Sequence, residues 1–556
     1  MNTYLFKGWL MASLFAISAL FVTSCKSDKE KDATNEAKSS TKIESNLKVI
    51  PTDAFMVVEV NLKELSKKSN IIDLKDQLMD VATSQGINQK DLNEATKIFD
   101  NPIDLLGINL LKPMYMFMPA SSFNTGEPSV FIAAEVKNKS KVIEMLESNT
   151  ELTTQTFNEI SWIYNHTDVV GAITENTLLV GTTANSNEFR DLLEQNNNFF
   201  STEAGKFMAN HSGDITVMVN MKALPKELHQ EAEAELQQIE DYPEIKDLVE
   251  SLLETQLVTN LTFESGKIAL NLYTNGLKSD YIEQFANTIQ SNDLTQIPNN
   301  NVLAVVAAGI NGKKIWDAYQ KIATSYLTYE ERQEIEGYKK YIQALNGTMY
   351  ASVGVKDFSE TQPEVLCALP IAKSKGEDVI AQSGADLPNN IYIGGNNSTF
   401  TITNMPNYTY GQVSSPFAKA SEAASCYAYA YVNVKLVMDQ ILQNMYRGGY
   451  SSERKCTDAL QHALRLIDYI DLKAKKNDAS LTIHLTDSSV NSLGLILQNA
   501  VTLGKIVMEN LDVAENVLDN LGDAVEQTFE AAEESLEDHY HHSYTNDYYY
   551  DDEYYY

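Results

Sequence analysis

Cys25 is the residue whose surroundings prescribe a reaction. It follows Thr23-Ser24, small side chains that suit a peptidase subsite, and a nearly all-apolar run from Leu10 to Val22 behind the basic Lys7. A run shorter than the roughly 20 residues a bilayer-spanning helix needs reads as an export signal, here residues 1–24, removed before Cys25. The expected chemistry is diacylglyceryl transfer to the thiol and acylation of the new amine. Several acyl chains, at about 0.8 kcal/mol per buried methylene, hold a protein to a membrane almost irreversibly. The membrane, reached through this lipid, is the first partner predicted.

With Cys25 committed, Cys367, Cys426 and Cys456 remain, an odd number for an oxidising compartment. At most one internal pair can close; Cys426 with Cys456 is the nearer pair along the chain, although sequence alone does not fix connectivity. Among the histidines, only His539, His541 and His542 lie near enough to carboxylates (Asp547, Asp551, Asp552, Glu553) to suggest zinc or a similar ion. Ordering a tail costs entropy, so these are weak ligands, and no cofactor is expected. The same tail carries Tyr540, Tyr544, Tyr548, Tyr549, Tyr550, Tyr554, Tyr555 and Tyr556, flat amphipathic side chains suited to contact with a basic partner, a glycan or another copy.

The motifs of acyl-transfer elbows, zinc peptidases, dinucleotide folds and Walker loops are missing from the sequence. Gly309-Ile310-Asn311-Gly312-Lys313-Lys314 faintly resembles a phosphate loop, but the glycine spacing is short and Lys314 stands where Ser or Thr belongs. The reading is therefore of a non-enzymatic protein that binds or scaffolds an envelope protein or a glycan. Two alternatives stay open: a hydrolase using two scattered carboxylates, which needs no sequence motif, and an assembly factor or chaperone whose amphipathic helices take lipid or clients. The formal net charge of -33 excludes nucleic acid as a partner, because phosphate backbones need cationic surface in exchange for their counterions.

The elements that must position any site are marked by one recurring unit, in which an apolar or alternating run precedes Asn-x-Lys and then a helical pattern. It occurs as Phe55 to Val60 before Asn61-Leu62-Lys63 and as Ile215 to Val219 before Asn220-Met221-Lys222. It recurs as Val302 to Ile310 before Asn311-Gly312-Lys313 and as Tyr427 to Val432 before Asn433-Val434-Lys435. β-Branched and aromatic alternation favours a strand, and Asn is a preferred helix N-cap, so the repeated Asn and Lys predict junctions. At the first copy Glu64 adds something like a capping box.

Ile50-Pro51 and Ile297-Pro298 each precede a first strand, and Lys267 to Tyr273 and Ser480 to Thr486 are alternating strands near the other ends. Two related α+β halves follow, 47–295 and 296–505, of mainly antiparallel sheet with helices packed on one face. Residues 221–256 and 312–346 predict amphipathic helical insertions. Before the halves, residues 25–46 predict a disordered tether. After them, 506–538 predicts an acidic helix, and 539–556 a disordered Tyr/Asp/His-rich tail.

The lipobox, the Ile50-Pro51-Thr52-Asp53-Ala54 opening and Phe55 to Ser69 with its Asn61-Leu62-Lys63 turn together resemble an uncharacterised Bacteroidetes lipoprotein family, domain of unknown function 4836. The resemblance spans about 47 to 505. It implies a place on the outer membrane, facing the periplasm or the outside, and supplies no catalytic residues.

Overall fold

A computed structural model of the chain describes residues 48–70, 106–125, 128–148, 151–183, 185–195, 198–224, 250–277, 283, 286–299, 301–326, 328–355, 363–383, 387–445 and 465–509. The fold is α+β with antiparallel sheet throughout the strand pairings below. It divides into two compact units, Met1–Tyr281 with Asn477–Val501, and Ile282–Lys476 with Thr502–Tyr556.

The first unit opens with β1 (Ala54–Val60), and its alternation places Val57 and Glu59 on one face and Val58 and Val60 on the other. Asn61 then caps α1 (Leu62–Ser69). The strands β2 (Met114–Pro119) and β3 (Phe131–Glu135) follow, then α2 (Lys139–Glu147). Next come β4 (Leu152–Phe157), β5 (Ile160–Asn165), β6 (Asp168–Ile173) and β7 (Thr177–Gly181). Two helices, α3 (Ser186–Glu194) and α4 (Glu203–Asn210), lead to β8 (Ile215–Asn220), β9 (Gln256–Glu264) and β10 (Lys267–Asn275). The strands pair in the order β4-β5-β6-β7-β3-β2-β1-β8-β9-β10.

Helices lie on both faces of this sheet, not on the single face that strand alternation alone predicts. Val57, Phe117, Ala133, Trp162, Ala172 and Leu179 join Phe189 of α3 and Met208 of α4 in one core. Their immediate neighbours Ala134, Ile163, Ile173 and Leu178 join Leu62 of α1 and Val142 of α2 in another. The signal was present in the consecutive pairs Trp162-Ile163, Ala172-Ile173 and Leu178-Leu179: strands buried on both sides read as continuous apolar runs.

In the second unit a one-turn helix, α5 (Ser291–Leu294), precedes β11 (Val302–Asn311). Then come α6 (Gly312–Tyr326) and α7 (Tyr329–Ile342), which fulfil the helical expectation over 312–346 as two helices. They are followed by β12 (Asn346–Gly354), β13 (Glu364–Leu369), α8 (Lys373–Ser383), β14 (Tyr392–Gly395) and β15 (Phe400–Thr403). The unit closes with β16 (Ala428–Val432), α9 (Val434–Met445) and β17 (Ile467–Ala474). Its strand order is β14-β15-β13-β12-β11-β16-β17. That is the scheme β6-β7-β3-β2-β1-β8-β9 of the first unit over again. One face carries a core from Val305, Ala307, Tyr350, Leu366 and Tyr429. The other carries an uncharged row across the whole sheet, Leu472-Ala430-Val306-Ala351-Cys367-Ile402-Ile393, in which Val306 is 60% exposed.

The last strand, β18 (Asp478–Leu485), falls within the sequence-predicted second half but pairs with β10 of the first unit, Leu481 opposite Leu270. It is followed by α10 (Ser492–Glu509). The described part of 221–256 contains a short 3-10 turn at Met221–Ala223 and helical residues at 250–253, and β9 begins at Gln256. The tether, the acidic segment after 509 and the tail lie outside the described residues.

Candidate functional site

The four Asn-x-Lys junctions resolve into three caps and an exception. Asn61 Oδ1 accepts from Glu64 N at 3.3 Å, Asn311 Oδ1 from Lys314 N at 3.1 Å, and Asn433 Oδ1 from Leu436 N at 3.0 Å. Asn220 makes no cap bond; its Oδ1 is buried with no hydrogen-bond partner among the described residues. Lys63, Lys222, Lys313 and Lys435 are all exposed, as solvated junction lysines should be. The glycines of the loop-like stretch serve packing: a Cβ at Gly309 would collide with the Asn287 carbonyl, and one at Gly312 with the Ile342 carbonyl.

In the first unit a carboxyl sits where the strand pattern calls for an apolar side chain. Glu59, 3% exposed, lies between Tyr115 of β2 and Thr216 of β8, and its Oε2 has no hydrogen-bond partner among the described residues. Burial pushes the carboxyl up to about 7, against the lowering effect of the Tyr115 hydroxyl. Beyond Thr216 the polar row continues to Asn260, which accepts from Asn271 Nδ2 at 2.9 Å and donates to the His211 carbonyl at 2.7 Å. His211 itself is structural, with ring centroids 4.6 Å from Phe207 and 4.2 Å from Tyr273. Nearby, Lys68 of α1 meets Asp214 at 2.7 Å, and the same buried carboxylate accepts from Phe263 N at 2.6 Å, tying helix to sheet.

The second unit gathers charges into a closed network. Lys473 of β17 reaches Asp471 at 2.9 Å and Glu422 at 3.0 Å; Lys419 reaches Glu422 at 3.1 Å and donates to Tyr469 OH at 2.8 Å. Burial works to raise the Glu422 carboxyl, but the Lys473 and Lys419 ammonium groups outweigh it and hold it below the usual carboxylate range. Burial likewise works to lower Lys473, and Asp471 and Glu422 leave it raised. Two cations against two carboxylates make a neutral set, and tyrosines surround it. Tyr431 stands opposite Asp471 and packs on Tyr469 at 5.4 Å; burial pushes its phenol up to about 12.

Of the sequence-predicted site residues, Cys25, Cys456, His539, His541 and His542 lie outside the described residues. Cys426 is buried, its Sγ 3.9 Å from the Ala424 carbonyl, and Cys367 is exposed on β13. Among the described residues no group of three or more His, Cys, Asp or Glu is placed to hold a metal ion, and no helix is long and apolar enough to cross a membrane. Sequence reasoning missed Glu59 and the network. Glu59 had a signal, a charge at the inward-facing parity of an otherwise apolar strand. Tyr427, Tyr429 and Tyr431 at alternate positions were another.

The family described as "Domain of unknown function (DUF4836)" matches residues 46–493. No curated protein matches the chain. Among solved structures, "Structure of crystal form I of TP0453" is similar at 10% identity and a TM-score of 0.21, over 41% of this chain and 78% of that one.

Proposed function

The chain belongs to the DUF4836 family, and we propose that it is a lipid-anchored lipoprotein of a Bacteroidetes cell envelope, held to the outer membrane through Cys25, whose body binds a partner or ligand without transforming it. The anchor rests on the signal layout ending at Thr23-Ser24-Cys25 and on the polar stretch before the first strand. The binding role rests on one observation: the second unit places tyrosines around a charge-neutral Lys419–Glu422–Lys473–Asp471 set, with Asp471 buried and the other three half-buried, polar groups converging beside an apolar core as they do in binding sites. A Cys25→Ala variant tests the anchor: it leaves the membrane fraction and loses fatty-acid label, and retention of either would overturn the assignment. Pull-down of envelope proteins and glycans by the wild-type chain, against a Lys473→Met/Glu422→Leu control, tests the binding role.

A second reading, lipid or client binding during envelope assembly, draws on the open part of the uncharged row of the second unit, from Leu472 to Cys367 with Val306 in its middle; Ile402 and Ile393 at its other end are packed against a core cluster. Contiguous exposed apolar surface marks interaction sites. A Val306→Asp variant that still folds and no longer takes up lipid from labelled vesicles would favour this reading; uptake equal to wild type would remove it.

A further inference from the structure

The strand scheme shared by the two units begins at β6 in the first and at β14 in the second, so the hairpin of β4 and β5 has no counterpart in the second unit. Asn158 and Glu159 at its tip both have positive φ, 49° and 69°, the backbone of a two-residue type I′ turn. Such a turn makes Phe157 and Ile160 a hydrogen-bonded pair, and the regular register from Leu152↔Asn165 to Phe157↔Ile160 carries the alternation along the strand. Thr153, Gln155 and Phe157 therefore direct their main-chain groups to β5. Leu152, Thr154 and Thr156 turn theirs outward.

β4 ends the strand order of the first unit, and its outer side pairs with nothing among the described residues. Thr153, Gln155, Thr156 and Phe157 are exposed, Phe157 to 67%. Sheet edges are ordinarily blunted by a Lys, a Pro, a bulge or a very short strand. β4 has none of these: it is six residues long, uncharged, without proline and in unbroken register. The edge at β14 of the second unit is blunted, since that strand runs four residues and stops at Gly395 with φ of 116°. The Thr154 hydroxyl is held by Glu147 of α2 and that of Thr156 by Ser161 of β5, so both side chains of the open edge are fixed in place.

We propose that β4 is the contact strand of a homodimer, pairing antiparallel with β4 of a second copy about a two-fold axis through Gln155. An axis normal to the sheet sets each residue opposite one on the same face: Thr154 opposite Thr156 of the second copy, Thr153 opposite Phe157, and Gln155 opposite itself. Thr154 and Thr156 exchange the outward main-chain bonds, as the hairpin's alternation requires. Thr153 against Phe157 is a β-branched side chain against an aromatic ring, a favourable cross-strand pair, and no charge meets its like within the strand. The strand is thus complementary to its own reverse, which favours a second copy over an unrelated extended peptide.

Sedimentation of the full-length chain in an excess of detergent micelles is expected to show twice the protein mass of one chain at tens of micromolar, falling to one chain on dilution. Gln155→Lys, which brings two ammonium groups together at the axis, and Thr156→Pro, which removes an outward N–H and no bond to β5, should each sediment as single chains. Gln155→Lys alters only an exposed side chain, and an unchanged circular dichroism spectrum guards against a variant that does not fold. Gln155→Cys should form a reducible dimer on mild oxidation, since residues opposite at a non-hydrogen-bonded site lie about 4.5 Å apart. Asp191→Cys, exposed on α3, should form no more than the wild type with its exposed Cys367. A wild-type chain that stays single at tens of micromolar, undiminished dimers in folded Gln155→Lys, or equal cross-linking at positions 155 and 191 overturns the proposal. So does a single chain that takes up an unrelated extended peptide along β4.

Discussion

At the scale of single residues the informative positions are those where polar chemistry is held away from water. Glu59 binds its proton more tightly folded than unfolded, so its contribution favours the fold below the unfolded value near 4.5 and is lost as pH rises from there through about 7. At about 1.4 kcal/mol per pKa unit, the wild type should lose about 2–3 kcal/mol between pH of about 5 and about 8 that a Glu59→Gln variant does not. Urea unfolding of both proteins at the two pH values reads this directly; parallel profiles would show that Glu59 reaches solvent. The caps give a second comparison. Asn311→Ala and Asn433→Ala should each cost about 1 kcal/mol, because each removes an N-cap bond. Asn220→Ala should be neutral or stabilising, since its Oδ1 is buried without a bond to lose.

At the scale of elements, the two glycines that bound the loop-like stretch are fixed by backbone contacts. Gly309→Ala drives a methyl into the Asn287 carbonyl and should destabilise by about 1–3 kcal/mol. Gly337→Ala within α7, where nothing lies within 4 Å, should stabilise by about 0.5–1 kcal/mol. Thermal unfolding of the two variants checks both signs. Strands whose alternation is carried by β-branched or aromatic residues, such as Phe55 to Val60 and Val302 to Ile310, were legible from sequence, and so were the capping asparagines. Less apolar strands were not: β4, with Thr153-Thr154-Gln155-Thr156, is largely exposed, and β14 and β15 run only four residues each. β9 was hidden because Thr259, Asn260 and Thr262 interrupt its apolar residues. The site was less legible still, because Glu422, Asp471 and Lys473 meet only through strand pairing and a turn far apart in the chain.

At the scale of the whole molecule, each unit has its own hydrophobic cores, but chain order and unit membership do not coincide. β18 comes after every strand of the second unit and pairs along β10 from Lys267↔His484 to Tyr273↔Asp478. A chain truncated after Lys476 should therefore expose a strand edge on the first unit and aggregate more readily than the intact protein, as light scattering during refolding would show. A truncated chain as monodisperse as the full one would mean β10 protects itself. The same crossing bears on the order in which the chain can fold as it is made. β9 and β10 can pair at once, but the other edge of β10 waits for a strand made roughly two hundred residues later, so completion of the first unit's sheet is a late event of synthesis. During that interval the open edge is a template for any extended segment nearby.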